Sequence, residues 1–134
     1  MNKKISIIGI IFNLLLFILV LYTKNISILL FLSAIYIIPA LINAISFIMT
    51  KTMQNIFVLP LITTIFYIVF SYFFMRQPNF IAFVSDNSKS IGDLSIQIND
   101  NLLAIGPITF VFLLNIASIY LSKKISRREQ YVER

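Results

Sequence analysis

The chain contains no cysteine and no histidine. Without cysteine it makes no disulfide, offers no thiolate nucleophile, and has no sulfur ligand for zinc or an iron–sulfur cluster. Without histidine it lacks the imidazole that serves metal binding, acid–base chemistry near neutral pH and phosphoryl acceptance. Glycine is scarce: Gly9, Gly92 and Gly106 stand far apart, so no glycine-rich loop cradles a phosphate. A carboxylate dyad would have to come from Asp86, Asp93 and Asp100, which share one stretch between apolar runs. Serine and tyrosine hydroxyls are present with nothing adjacent to activate them. The chain is expected to be non-enzymatic, with no catalytic residues, no cofactor and no metal.

What the chain has instead is length without charge. Four apolar runs, residues 5–22, 26–49, 56–75 and 102–121, contain no Asp, Glu, Lys or Arg. A helix rises about 1.5 Å per residue, so roughly 20 apolar residues cross a hydrocarbon core of about 30 Å. Inside lipid the backbone must satisfy its own hydrogen bonds, which makes each run a helix. Hydrophobic residues form 59% of the 134-residue chain and mean hydropathy is +0.93, more apolar surface than a soluble domain of this size can hide. The expected fold is all-α: a single polytopic membrane domain of four transmembrane helices in the cell membrane.

The net charge of +6 is distributed unevenly. Lys3, Lys4, Lys51, Lys123, Lys124, Arg127, Arg128 and Arg134, eight of the eleven cations, fall on one side of a four-span chain. Lys24, Arg76 and Lys89 fall on the other, with Asp86, Asp93 and Asp100. Cations accumulate on the cytoplasmic side of membrane proteins, so both termini are expected there. The first run is too long for a signal-peptide core and no small-x-small cleavage pattern follows Tyr22, so it is expected to remain as a span.

Thr23, Lys24 and Asn25 link the first two spans into a tight antiparallel pair, with Asn25 a predicted N-cap. Residues 50–55 return the chain at the cytoplasmic face. Arg76, Gln77 and Pro78 end the third span and open an outer loop, residues 76–101. The fourth helix starts either behind the capping residues Asn99, Asp100 and Asn101 or at Gly106, with Pro107 in first helical position. Within the loop, Phe80, Ile81, Phe83 and Val84 form an apolar patch, expected to rest on the outer leaflet through Phe80 and Phe83. A peptide-receiving or partner-binding role for the loop is the alternative. Ile91, Leu94 and Ile98 fit a helical face, while Leu94, Ile96 and Ile98 alternate like a strand, so periodicity leaves both open.

Each span carries a sparse stripe of small or polar residues at helical spacing. They are Ser6, Gly9 and Asn13; Ser33, Tyr36, Ala40, Asn43 and Ala44; Pro60, Thr63, Thr64, Tyr67 and Ser71; and Asn115, Ser118 and Ser122. Small residues admit close helix approach, and buried amides bond across interfaces for about 0.6–2 kcal/mol each. Asn13, Asn43 and Asn115 are therefore candidate helix-packing residues, with a polar permeation path as the sharper alternative. Pro39, mid-span, is expected to shape packing through a kink. No charge lies within a span, which argues against proton pumping and voltage sensing.

Residues 122–134 form the expected cytoplasmic tail, the one dense charge cluster. Its basic residues fix topology and are candidate partner or lipid contacts, through Lys123, Lys124, Arg127 and Arg128. Thirteen residues are too few for a DNA-binding fold, so no direct nucleic acid binding is expected. The partners expected are the lipid bilayer and another membrane protein or a second copy.

The stretch Ile37, Ile38, Pro39, Ala40, Leu41 and Ile42, continuing to Phe47, Thr50 and Lys51, resembles the second span of the staphylococcal Msa family, the modulators of SarA. The aromatic third span around Ile65, Phe66, Tyr67 and Tyr72, followed by Pro78, Asn79 and Phe80, is similar too. Length, four-span layout, loop position and basic tail agree with that family. The resemblance implies an accessory membrane protein that indirectly modulates expression of a global virulence regulator and the toxin and surface-protein genes beneath it. A bacteriocin immunity protein or the small membrane subunit of an export system is the competing class, followed by a holin-like pore former and a small permease.

Overall fold

The computed structural model describes residues 2–23, 26–50, 56–87, 89–91, 94–96 and 101–132. Asn25, Lys51, Gly92, Asp93, Ile98, Asn99, Asp100 and Arg134, which entered the expectations above, lie outside the described residues, and so does Lys24.

Nearly all of the described chain is helical. The elements are α1 (Asn2–Tyr22), α2 (Ile28–Leu32), a π-helical turn (Ser33–Ile37), α3 (Ile38–Thr50), α4 (Val58–Met75), α5 (Pro78–Asn87), strands β1 (Lys89–Ile91) and β2 (Leu94–Ile96), and α6 (Ile105–Val132). Three helical rods are long and apolar enough to cross a membrane: Ile28–Met49, Val58–Met75 and Ile105–Glu129. Among the residues whose side chains are described, α1 is apolar over Ile7–Tyr22.

Packing arranges the long helices in a square. Both α3 and α4 pack against α1 and against α6, while α3 and α4 barely touch, so consecutive helices α3 and α4 sit on a diagonal. The buried faces follow helical spacing: Gly9, Asn13, Phe17 and Val20 on α1, and Val111, Asn115, Ile119 and Ser122 on α6. Opposite faces carry large apolar residues turned outward, Leu19 at 65% exposure and Leu61 at 55% among them. The bundle is thus apolar outside and partly polar inside, the distribution that suits a hydrocarbon surround.

At one end, here the hairpin end, aromatic rings fill the core. Phe31 stacks on Phe74 with centroids 5.1 Å apart, and Phe17 lies 5.4 Å from Phe70. The α5 helix closes this end. Its Phe80 and Phe83 turn into the bundle, Phe83 at 4.7 Å from Phe31 and Phe80 at 5.5 Å from Phe74, while Ile81 stays exposed. This corrects the expectation that Phe80 and Phe83 rest on lipid. Three-residue spacing on a helix puts both rings on one face, and the aromatic pile at the bundle end offers that face a better-packed surface.

Several boundaries differ from the sequence-based expectation. Ser27 caps the second rod, its Oγ accepting from the Leu30 N–H at 3.4 Å. Within 76–101 the described residues include α5 and two antiparallel strands pairing Lys89 with Ile96 and Ile91 with Leu94, so the strand reading holds for Leu94 and Ile96. Pro78, which ends the third span in sequence terms, opens α5, where its missing N–H would have no partner anyway. Residues 102–104 form a turn before α6, with the Asn101 side chain accepting from the Leu103 N–H at 3.2 Å; Pro107 is third in the helix, still within the turn that lacks N–H partners. At its other end α6 runs on through the predicted tail to Val132.

Pro39 is accommodated by the π-helical turn ahead of it. The Ile38 N–H reaches back five residues to the Ser33 carbonyl, and the widened turn makes room for a ring that cannot donate.

Candidate functional site

Three of the stripes meet at one point through asparagine. Asn13 on α1 donates from Nδ2 to Asn43 Oδ1 on α3 at 2.8 Å. Asn43 in turn uses both its protons, to Thr63 Oγ1 on α4 at 2.8 Å and to Asn115 Oδ1 on α6 at 2.7 Å. Thr63 passes its proton to the Leu59 carbonyl at 2.9 Å, and Asn115 Nδ2 donates to the Val111 carbonyl at 2.8 Å. All four side chains are essentially without exposure, between 0% and 1%. The node therefore ties every long helix to Asn43, including the diagonal pair α3 and α4. One buried acceptor, Asn13 Oδ1, has no partner among the described residues.

The node lies in the half of the bundle away from the hairpin end. Asn43 is seven residues from Thr50, about 10 Å along the helix, and fifteen from Ile28, about 22 Å. One turn beyond the node, Gly9 on α1 faces Ser46 on α3 so closely that a Cβ at Gly9 would overlap the Ser46 hydroxyl. Close approach here is what brings Asn13 within reach of Asn43.

Nearer the hairpin end a second polar pair crosses the core. Tyr67 OH donates to the Leu102 carbonyl at 2.9 Å, which leaves Tyr36 OH as donor to Tyr67 across 3.4 Å. Tyr36 also meets Phe110 edge-on at 5.2 Å, so α6 is pinned at its start as well as at Asn115.

The predicted cations lie on the far end of α6. Lys123, Lys124, Arg127 and Arg128 line a groove of about 480 Å³ together with Tyr120, Tyr131 and, from the chain just ahead of α4, Ile56. Helical spacing explains the grouping, since positions 120, 124, 127 and 131 fall on one face. Arg128 also borders a neighbouring groove of about 550 Å³ with Ile125, Glu129 and Val132, so Glu129, the one carboxylate among the described residues at this end, lines that second groove and not the first.

Of the residues singled out by sequence, the structure brings Asn13 and Asn115 each into direct hydrogen-bond contact with Asn43. It groups Lys123, Lys124, Arg127 and Arg128 in one groove, far along α6 from the asparagines. It adds Ser46, Tyr120, Tyr131 and Ile56, none of which the stripes contained. The two tyrosines were findable, because a helix continued through the tail puts them in register with Lys124 and Arg127.

Chemically, neutral amides and hydroxyls bonded to one another hold helices together, whereas clustered ammonium and guanidinium groups attract anions. Among the described residues no group of three or more acidic or histidine side chains converges as a metal site. Comparison with protein-family models, with curated proteins and with solved structures finds no match to this chain.

Proposed function

We propose that this chain is a non-enzymatic, multi-pass protein of the cell membrane, with four spans, both termini in the cytoplasm, and its action exerted through contact. The length of α1, 21 residues or about 31 Å, and its packing along both α3 and α4 support a fourth span beside the other three rods. The concentration of cations beyond the tail end supports a cytoplasmic position for that end.

The observation that carries the functional reading is the continuity of α6. One unbroken helix of 28 residues, about 42 Å, joins the buried node at Asn115 to the cationic groove outside the apolar bundle. A change of packing among the spans is transmitted along such a rod to whatever its end contacts. In the reading implied by the Msa resemblance, that contact is another membrane protein, and the consequence is indirect modulation of a SarA-type global virulence regulator.

The test is transcript profiling of a clean deletion strain complemented at another locus. Regulator and toxin transcripts are expected to shift on deletion and to return with the wild-type gene, but not when Lys123, Lys124, Arg127 and Arg128 are all replaced by Gln. Flat transcripts on deletion overturn the regulatory reading. Full rescue by the neutralised gene removes the end of α6 from the mechanism.

A further inference from the structure

The groove at the end of α6 combines three features that no single role in topology requires. Among the described residues it holds four cations and no carboxylate. Ile56 stands two residues before α4 begins at Val58, so the groove sits where the apolar bundle ends. Below it, Tyr120, Leu121, Ala117 and Leu113 are exposed on the same side of α6, an apolar track leading directly into the cations. A soluble phosphate would need the cations alone. A molecule that uses both parts has an anionic head and a hydrocarbon tail.

We propose that this groove is a binding site for one anionic phospholipid. The headgroup phosphate pairs with Lys123, Lys124, Arg127 and Arg128, the tyrosines flank it at the interface, and an acyl chain lies along Tyr120, Ala117 and Leu113. The inference rests on the proposed placement of this end of α6 at the membrane surface, and not on any regulatory output. Basic clusters between helices at the membrane surface recognise anionic headgroups, and an arginine pair adds bidentate bonds to phosphate oxygens.

The chain has no tryptophan, which gives a clean reporter. Tyr120→Trp places a sole indole in the groove, and Leu19→Trp, on the exposed face of α1, places one against bulk lipid. Each purified variant is reconstituted in phosphatidylcholine vesicles with increasing brominated phosphatidylglycerol or brominated phosphatidylcholine, and fluorescence quenching is read. The groove reporter is expected to be quenched by the anionic lipid at lower mole fraction, the α1 reporter equally by both. Adding Arg127→Gln and Arg128→Gln is expected to weaken the preference roughly 25-fold, about fivefold per cation. Unchanged quenching of the α1 reporter in that background shows that the bundle is still inserted. Equal quenching of the groove reporter by both lipids overturns the site. So does reversal by soluble glycerol phosphate, which would leave a phosphate site without lipid.

Discussion

The Asn43 amide spends both its protons and one acceptor position on three different helices, so its loss leaves Asn13, Thr63 and Asn115 without their cross-helix partner. At about 0.6–2 kcal/mol per bond in a membrane bundle, Asn43→Ala is expected to destabilise by about 2–4 kcal/mol. Asn115→Ala breaks one cross-helix bond and is expected to cost less than half as much. Equilibrium unfolding of the purified variants in mixed micelles ranks them; equal losses would mean that the node is not centred on Asn43. Gly9 supplies a second case. Gly9→Ala is expected to cost about 1–3 kcal/mol through overlap with Ser46, and Ser46→Gly in the same chain to restore most of it. Additive losses in that double-mutant cycle would exclude the overlap. The asparagines were legible in sequence, because a lone amide in a charge-free apolar run has to find a partner. Their pairing was not, since it depends on α3 and α4 lying on a diagonal, and nothing in the order of spans specifies that. Ser46 was hidden for the same reason, its role being set by which glycine lies opposite.

The rod from Ile28 to Thr50 contains one residue more than a regular helix would need between Phe31 and Asn43, because the π-helical turn reaches back five residues where an α-turn reaches four. That extra residue sets the phase between the aromatic pile and the polar node. Removing Ile37, which is exposed, together with Pro39→Ala converts the turn to regular helix and leaves both faces in register. Removing the equally exposed Leu41 from α3 rotates everything ahead of it by about 100° relative to Asn43. The first variant is expected to keep near-native stability and the second to lose the Phe31 contacts with Phe74 and Phe83 and to fail to form a stable bundle. Yield of monodisperse protein and thermal denaturation in detergent compare the two, and equal behaviour would remove the π-helical turn from the phasing. Sequence reading located Pro39 but treated it as a kink, since a widened turn leaves no mark on composition. It also stopped the last helix at Leu121, where apolar residues end, although nothing in residues 122–132 breaks a helix. The α5 helix was missed because aromatic pairs that face a bundle and those that face lipid share the same spacing.

At the scale of the whole molecule the distribution of polarity is partly inverted: asparagine, threonine and tyrosine hydroxyl groups lie in the core beside the aromatic pile, and leucine and isoleucine dominate the outside. That inversion fits a bundle whose solvent is hydrocarbon, where packing and interhelical hydrogen bonds replace hydrophobic collapse as the cohesive force. It makes orientation the decisive global property, because α5 closes one end and the cationic end of α6 projects from the other. The absence of cysteine lets orientation be measured without background. Ser85→Cys, exposed on α5, and Glu129→Cys, exposed on α6, each introduce one accessible thiol at opposite ends of the bundle. In intact cells a membrane-impermeant maleimide is expected to label Ser85→Cys, and to label Glu129→Cys only after permeabilisation. Labelling of both in intact cells would place the two ends on the same side, which requires an odd number of crossings between α5 and the end of α6 to fail, and would exclude α6 as a span. The reverse pattern would put the cations outside, against the bias that positions basic segments in the cytoplasm. In that case neither a cytoplasmic partner nor the inner leaflet could meet the groove, so this single pair of labels bears on both the regulatory reading and the biological setting of the lipid site, while leaving lipid binding by the purified protein a separate question of chemistry.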